Sequence, residues 1–168
     1  MRIRPYSSRD GARIRDILVR SMTFTDEEIA VALDVIEEAQ RHPDRDDYTI
    51  FCAQNDSEVV VGYICFGPIP MTDRSYDLYW ICVDRGMKKS GIGTSLILEM
   101  ESYLRKKGAR HIYIDTSSTA PYDDARAFYD RRGYRAAAAL PDFYMDGDDK
   151  IIYLKKLQGK GRTGCLSE

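Results

Sequence analysis

The sequence is poor in the residues that most often build hydrolytic and metal sites. Its 168 residues include only two histidines, His42 and His111, and neither lies near a serine or cysteine that could serve as a nucleophile. The four cysteines have no metal-type spacing; they are Cys52, Cys65, Cys82 and Cys165. We therefore expect neither a hydrolase triad nor a metal site, and we predict that the three cysteines in strand-like segments are buried thiols.

Long hydrophobic runs and an excess of positive charge are also missing. The longest apolar runs fall far short of the ~20 residues that cross a membrane, and the first six residues, Met1 to Tyr6, have no apolar signal-peptide core. The net charge of −2 disfavours a general affinity for nucleic acid. We expect a cytoplasmic protein that binds neither membrane nor nucleic acid, in a compartment where thiols stay reduced.

What remains is an ordinary globular composition, with 43% hydrophobic and 31% charged residues. The length suits one domain, and we place it at residues 1–157, followed by a glycine-containing flexible tail at 158–168. The hydrophobic periods predict the element order β-α-α-β-β-β-α-β-α-β-β. The last two strands are predicted at Tyr134–Leu140 and Lys150–Leu157, joined by an acidic stretch from Asp142 to Asp149.

One segment combines a strand, a glycine turn and a helix. The apolar strand ends at Val83, and the helix that follows has apolar residues at Ile92, Leu96, Met100 and Leu104. The unpaired N–H groups and positive dipole end of a helix attract phosphate, and glycines let it approach the backbone. A dinucleotide fingerprint is disfavoured because Leu96 stands where its third glycine belongs, and a P-loop would need a Gly-Lys pair.

The turn instead resembles a signature of the Gcn5-related N-acetyltransferase (GNAT) superfamily. Lys88-Lys89-Ser90-Gly91-Ile92-Gly93 is similar to the pattern Gln/Arg-x-x-Gly-x-Gly/Ala, with Lys88 at the Gln/Arg position. A second segment, Ala125 to Tyr134, resembles the family pattern Ala-x-x-Phe/Leu-Tyr-x-x-x-Gly-Phe/Tyr. The resemblance implies an α/β (α+β) fold, a single domain with a mixed central sheet of six to seven strands and about four flanking helices.

The resemblance also implies acetyl-CoA as cosubstrate, without a metal. The residues expected to bind it are Ile81, Cys82, Val83, Lys88, Lys89, Ser90, Gly91, Ile92, Gly93, Thr94, Tyr122, Phe128 and Arg131. The first three would act through their backbones, bonding the pantetheine arm and polarising the acetyl carbonyl. Tyr122 stands where many members have an asparagine that bonds pantetheine, so this contact is either lost or replaced.

The catalytic side chains are less sharply indicated. The resemblance places Tyr129 near the coenzyme sulfur as the acid, although its spacing with Ala125 and Phe128 also suits a core tyrosine. Asp77 is the first candidate for the base, because a carboxylate in an apolar strand needs a wet cleft or partners, and Asp115 is the second. The substrate-binding candidates are Tyr79, Asp115, Phe143 and Tyr144.

The acidic stretch admits two interpretations. Asp142, Asp146, Asp148 and Asp149 either attract a cationic amine or form a solvated hairpin turn. We therefore predict direct acetyl transfer from acetyl-CoA to a primary amine, either a small amino-acid-like amine or a protein N-terminus. A non-catalytic acetyl-CoA sensor is the alternative, a dinucleotide oxidoreductase is disfavoured, and a homodimer is left open.

Overall fold

The computed structural model describes residues 1–87 and 89–157, so the predicted tail lies outside the described residues. The strands are β1 (Arg2–Pro5), β2 (Thr49–Gln54), β3 (Val60–Pro68), β4 (Ser75–Val83), β5 (His111–Ser117), β6 (Arg135–Met145) and β7 (Asp148–Lys156). The α-helices are α1 (Gly11–Ser21), α2 (Asp26–Arg41), α3 (Ile92–Lys106) and α4 (Asp123–Arg131). The predicted order of elements is confirmed.

The seven strands form one mixed sheet in the order β1-β2-β3-β4-β5-β7-β6. Every neighbouring pair is antiparallel except β4 and β5, which run parallel because α3 connects them across one face of the sheet. The predicted mixed sheet of six to seven strands with four flanking helices is confirmed.

Each face of the sheet carries its own core. On one face, the predicted stripe of α3 packs against β-strand residues that include Phe66 and Ile114. On the other face, α1 and α2 pack against a cluster that contains Tyr63 and Cys65. Burial raises the pKa of the Cys65 thiol, and it is the main cause that raises the pKa of the Cys52 thiol to about 12. Neither thiol therefore serves as a thiolate at neutral pH.

The prediction for the last two strands was wrong in extent. β6 continues to Met145 and β7 begins at Asp148, so the stretch from 142 to 149 is mostly strand around a short turn at Asp146–Gly147. Asp142 has a left-handed φ of 52°, and its carboxylate accepts a hydrogen bond from the Gly147 N–H at 2.7 Å. The strand pairing jumps from Leu140 to Met145 at the resulting bulge. The alternation of apolar and polar residues gives no sign of this bulge in the sequence.

No helix in the described part of the chain is both long enough and apolar enough to cross a membrane.

Candidate active site

The sheet opens into a fork between β4 and β5. Their pairing stops at Asp77, opposite Tyr113, while β5 continues to pair with β7 as far as Ser117. The ladder between β4 and β5 does not continue beyond Asp77 among the described residues. A bulge at Tyr79, which is skipped between the pairs Cys65–Trp80 and Phe66–Leu78, accompanies the divergence. The edge of Ile81, Cys82 and Val83 is therefore exposed to the fork, as the resemblance implies for a segment that binds through its backbone.

The glycine turn lies at the open end of β4. Asp84 holds its start, because the Asp84 carboxylate accepts the Gly86 N–H at 2.9 Å and forms an ion pair with Arg13. The Gly86 hydrogen bond, aided by Arg13, lowers the pKa of Asp84, so this anchor stays ionised. The turn is thus fixed from two sides before the helix begins.

The helix after the turn has the geometry of an anion site. Gly91 is its N-terminal cap with φ of 83°, a conformation that favours glycine, and it supplies no side-chain cap. The first-turn N–H groups of Ile92, Gly93 and Thr94 therefore point out of the helix without intrahelical acceptors. The Ser90 hydroxyl donates a hydrogen bond to the Met87 carbonyl oxygen, and this bond helps to close the turn before the helix. Lys89 is exposed beside it, whereas Lys88 lies outside the described residues.

Gly93 is the meeting point of β4, α3 and α4. A Cβ atom built on Gly93 would lie 3.5 Å from Phe128 and 3.8 Å from Val83, which is ordinary contact. The predicted Phe128 thus packs directly on the glycine turn, and Arg131 is exposed on the last turn of the same helix, α4. Two distant segments of the signature are brought together here.

A cleft of about 610 Å³ adjoins the turn on the α1 side. It is lined by Arg20, Met22, Asp84, Arg85 and Gly86. Arg20 and Arg85 are two exposed cations at its edge, so the cleft supplies positive charge beside the helix N-terminus.

Tyr129 is buried, with 7% of its surface exposed, among the rings of Phe128, Tyr134 and Tyr153. Burial is the main cause that raises the pKa of the Tyr129 phenol, so the group is protonated at all physiological pH values. No described residue accepts or donates a hydrogen bond at its hydroxyl. The sequence allowed Tyr129 to be either a core residue or an acid. In the structure its ring is part of the core and its hydroxyl is a protonated donor, so the two interpretations are compatible.

Asp77 lies half-buried where the fork begins. Burial and, second to it, the Asp115 carboxylate raise the pKa of Asp77 to about 6 against the opposing effect of Lys150. A carboxylate with this pKa is ionised at neutral pH and still able to accept a proton.

Asp115 has 42% of its side chain exposed and forms an ion pair with Lys150. Lys150 in turn lies 4.7 Å from the centre of the Phe143 ring. Sequence reasoning missed Lys150, because nothing in a β-strand period shows which cation will face a carboxylate on the neighbouring strand.

Tyr122 links the two sides of the fork. Its hydroxyl donates to Glu28 at the start of α2, and its ring lies 6.4 Å from that of Phe24. Phe24 also stacks edge-on against Trp80 of β4 at 5.3 Å. Because the Tyr122 hydroxyl already donates its proton to Glu28, a pantetheine contact by Tyr122 would use the hydroxyl oxygen as an acceptor, the ring or the backbone. The sequence analysis gave no site role to Glu28, Phe24 or Trp80, because their contacts join segments far apart in the chain.

The remaining predicted substrate contacts have distinct settings. Tyr79 packs against Tyr48 at 5.4 Å, and burial, followed by the Asp77 carboxylate, raises the pKa of Tyr79 to about 12. Tyr144 is exposed at the end of β6, where burial of its hydroxyl and the nearby carboxylates of Asp115, Asp148 and Glu28 raise its pKa. Tyr144 therefore faces the fork, whereas Tyr79 is held against the α1/α2 side.

The four acids of the last hairpin differ in burial and in hydrogen bonding. Asp148 is only 9% exposed and accepts hydrogen bonds from the Ser117 hydroxyl and the Ser118 N–H. Asp149 accepts the Asp142 N–H, and Asp142 accepts the Gly147 N–H. Asp148 is therefore buried, whereas Asp142 and Asp146 are exposed and Asp149 is half-buried, and both interpretations of the acidic stretch stay open.

Comparison with known proteins places this arrangement in a family. The profile of the acetyltransferase (GNAT) family matches residues 12–134, so the chain belongs to the GNAT family. In Methanocaldococcus jannaschii, an uncharacterized N-acetyltransferase is 29% identical over 139 residues, covering 74% of this chain and 85% of that protein.

Two solved structures illustrate the match in three dimensions. A GNAT-family acetyltransferase from Desulfovibrio desulfuricans is 35% identical, with a TM-score of 0.89, and the match covers 94% of this chain and 99% of that one. An aminoglycoside 6'-N-acetyltransferase in complex with coenzyme A shares the fold at 18% identity, with a TM-score of 0.72 and coverage of 96% and 99%. The chain is an acetyltransferase enzyme, and no comparison supports the non-catalytic sensor.

Proposed function

We propose that this enzyme transfers the acetyl group of acetyl-CoA directly to a primary amine within the fork between β4 and β5. The observation that carries the proposal is the placement of two features at one opening. The uncapped helix N-terminus at Gly91 lies at its open end, and Asp77, with a pKa of about 6, lies where it closes. An anion site and a proton acceptor are what the two substrates need.

The donor site follows from the backbone. The N–H groups of Ile92, Gly93 and Thr94 suit the pyrophosphate, and Lys88, Lys89 and Arg131 add positive charge. Ser90 and Phe128 shape the turn, and the backbone of Ile81, Cys82 and Val83, beyond the point where β4 and β5 stop pairing, suits the amide groups of the pantetheine arm. Acetyl-CoA supplies an acetyl group activated as a thioester.

The protein's own groups then handle two protons. Asp77 accepts a proton from the ammonium, so that the nitrogen lone pair can form the new C–N bond. Backbone N–H groups of β4 stabilise the negative charge on the carbonyl oxygen. As the C–S bond breaks, its electron pair stays on sulfur, which takes a proton from Tyr129. The ammonium loses two protons in all. One of them restores the hydroxyl of Tyr129, whose own proton is now on the sulfur, and the other reaches solvent.

Replacement of Tyr129 by Phe is expected to lower kcat about tenfold to a hundredfold while the Kd of acetyl-CoA stays nearly constant. General acid catalysis contributes roughly 10² to 10⁴-fold, and a thiolate of pKa about 8.5 leaves fairly well unaided, which favours the low end. Single-turnover kinetics with calorimetric Kd values would test this.

Tyr153→Phe is the matched control, because it removes a hydroxyl from the neighbouring ring in the same cluster. If Tyr129→Phe kept the wild-type single-turnover rate, Tyr129 would be a core residue only.

The acceptor is proposed to be an amine of lower pKa, either an amino-acid-like small molecule or a protein N-terminus. An α-amine has a reference pKa near 7.7–8.0 and a lysine side chain about 10.4, so at neutral pH a far larger fraction of the α-amine is ready to attack. The exposed Tyr144 ring near Asp115 would stabilise the arriving cation, and Phe143, whose ring also holds Lys150, would add apolar contact.

A matched pair of acceptors tests this class. Nε-acetyl-lysine amide offers only an α-amine, and Nα-acetyl-lysine amide offers only the side-chain amine. We expect kcat/KM at pH 7 to be at least about tenfold higher for the α-amine. A higher value for the side-chain amine would overturn the proposed acceptor class and leave the acetyl transfer itself intact.

A further inference from the structure

Two carboxylates share one face of the sheet where the fork begins. Asp77 lies opposite Tyr113, and Asp115 follows two residues later on β5. Side chains alternate along a strand, so Asp115 points to the same face as Tyr113 and Asp77. Ile112 and Ile114 point into the core of the α3 face, which places both carboxylates on the face that carries α1 and α2.

Two carboxylates this close compete for one proton. Like charges raise the proton affinity of the pair, and an amine proton could then pass to either of them. For one carboxylate alone to act as the base, the negative charge of the other must be balanced by a cation.

Lys150 provides that compensation, and its own position is fixed from two sides. It lies on β7, paired with Ser117, and its ammonium group bonds Asp115 and rests 4.7 Å above Phe143. Only 19% of the Lys150 side chain is exposed, so this lysine is not a loose surface cation.

We propose that Lys150 is a positioning residue for proton transfer: held by Asp115 and Phe143, it neutralises Asp115 and leaves Asp77 as the single proton acceptor. The inference rests on the proposed function, in which Asp77 takes the amine proton. It also gives Asp115 a role different from either of those that the sequence indicated, base or substrate contact.

The charged and titratable groups around Asp77 are few. Among the described residues they are Tyr113 and Asp115 on β5, Lys150 on β7 and Tyr79 on its own strand, and Tyr144 on β6 lies beyond Asp115. Tyr79 and Tyr144 both have raised pKa values and are neutral below pH 9. Between pH 4 and 9 the balance at Asp77 is therefore set by the Asp115–Lys150 pair.

The test uses three variants, Lys150→Met, Asp115→Asn and the double variant. Loss of the lysine leaves a bare carboxylate beside Asp77, so the acid limb of the kcat/KM profile should move up by about one pH unit. At pH 5 the fraction of the plateau kcat/KM that remains should then be about tenfold smaller in this variant than in the wild type. Asp115→Asn should move the limb down by a similar amount, and the double variant should return close to the wild type.

Lys156→Met is the matched control, since Lys156 lies on the same strand and face but opposite His111. Its profile should keep the wild-type limb. A merely structural role for Lys150 would change the melting temperature and leave the limb in place, and opposite shifts in the two single variants could not arise from loosened packing.

A second readout separates this inference from the proposed function. The carboxyl carbon of Asp77, observed by ¹³C NMR and assigned by its loss in Asp77→Asn, reports its titration without any turnover. Opposite displacements in Lys150→Met and Asp115→Asn would support the inference, and an unmoved midpoint in both would overturn it. The activity of Asp77→Asn decides the separate question of whether Asp77 is the base.

Discussion

Gly91→Asp is expected to abolish measurable binding of coenzyme A, whereas Gly91→Asn should retain most of it. No atom lies within 4 Å of a Cβ atom at Gly91, so the substitution meets no steric barrier. The φ of 83° strains both variants alike, and Asn and Asp tolerate that conformation better than other residues. The two variants therefore differ mainly in charge.

The size of the effect follows from Coulomb's law. At about 5 Å and an effective dielectric constant of about 20, each pair of negative charges contributes roughly 3 kcal/mol of repulsion, or more than a hundredfold in Kd. In the apo protein the added charge is favourable, because it lies at a helix N-terminus, so Gly91→Asp should be at least as stable as Gly91→Asn. Isothermal titration with coenzyme A, together with the melting temperature of the apo protein, would measure both effects.

Gly108→Asp provides the control for strain. Gly108 has φ of 76° and nothing within 4 Å of its Cβ position, but it lies at the opposite end of α3. This variant should lose stability and keep the wild-type Kd. If Gly91→Asp bound coenzyme A within threefold of the wild type, the turn would not hold the pyrophosphate.

Asp77→Asn is expected to lower kcat/KM for the amine by roughly 10² to 10⁴-fold, the usual contribution of a general base. In the wild type, kcat/KM should fall with unit slope as the pH drops below about 6, because protonation of Asp77 removes the base. That limb should vanish in the variant. Asp44→Asn, an exposed acid far from the fork in sequence, is the control.

The same substitution should stabilise the fold at neutral pH. The pKa of Asp77 is raised in the folded protein, so its contribution to stability is present at pH values below about 4 and is lost as the pH rises through about 6. Asn carries no such penalty. After allowance for solvent screening at this half-exposed group, we expect a gain of about 1 kcal/mol in unfolding free energy at pH 8 and none at pH 4.

Chemical denaturation at the two pH values would measure this gain. Lost activity together with increased stability would identify Asp77 as a residue kept for chemistry. A variant that is less stable at both pH values, with kcat unchanged, would make Asp77 a structural hydrogen-bonding residue instead.

Local features of this protein could be predicted from its sequence. Thr25 and Glu28 have the spacing of a capping box and form one, because its bonds join residues three apart. The apolar stripe of α3 and the glycine turn before it follow from helical period and from the conformations that only glycine adopts readily. These determined that a helix N-terminus would follow a central strand, and with it the anion site.

Only the tertiary structure decided what meets across the fork. Tyr122 bonds Glu28 from 94 residues away, and Lys150 bonds Asp115 from a different strand. The buried Glu101 is likewise satisfied by Lys155, 54 residues further on. Such pairs leave no mark in a local period, because the backbone geometry that joins them depends on strand order, on bulges and on where pairing stops. The sequence alone therefore determined where the phosphate ligand is expected to bind, and only the fold, by pairing Lys150 with Asp115, provides the reason to propose Asp77 as the carboxylate that takes the proton.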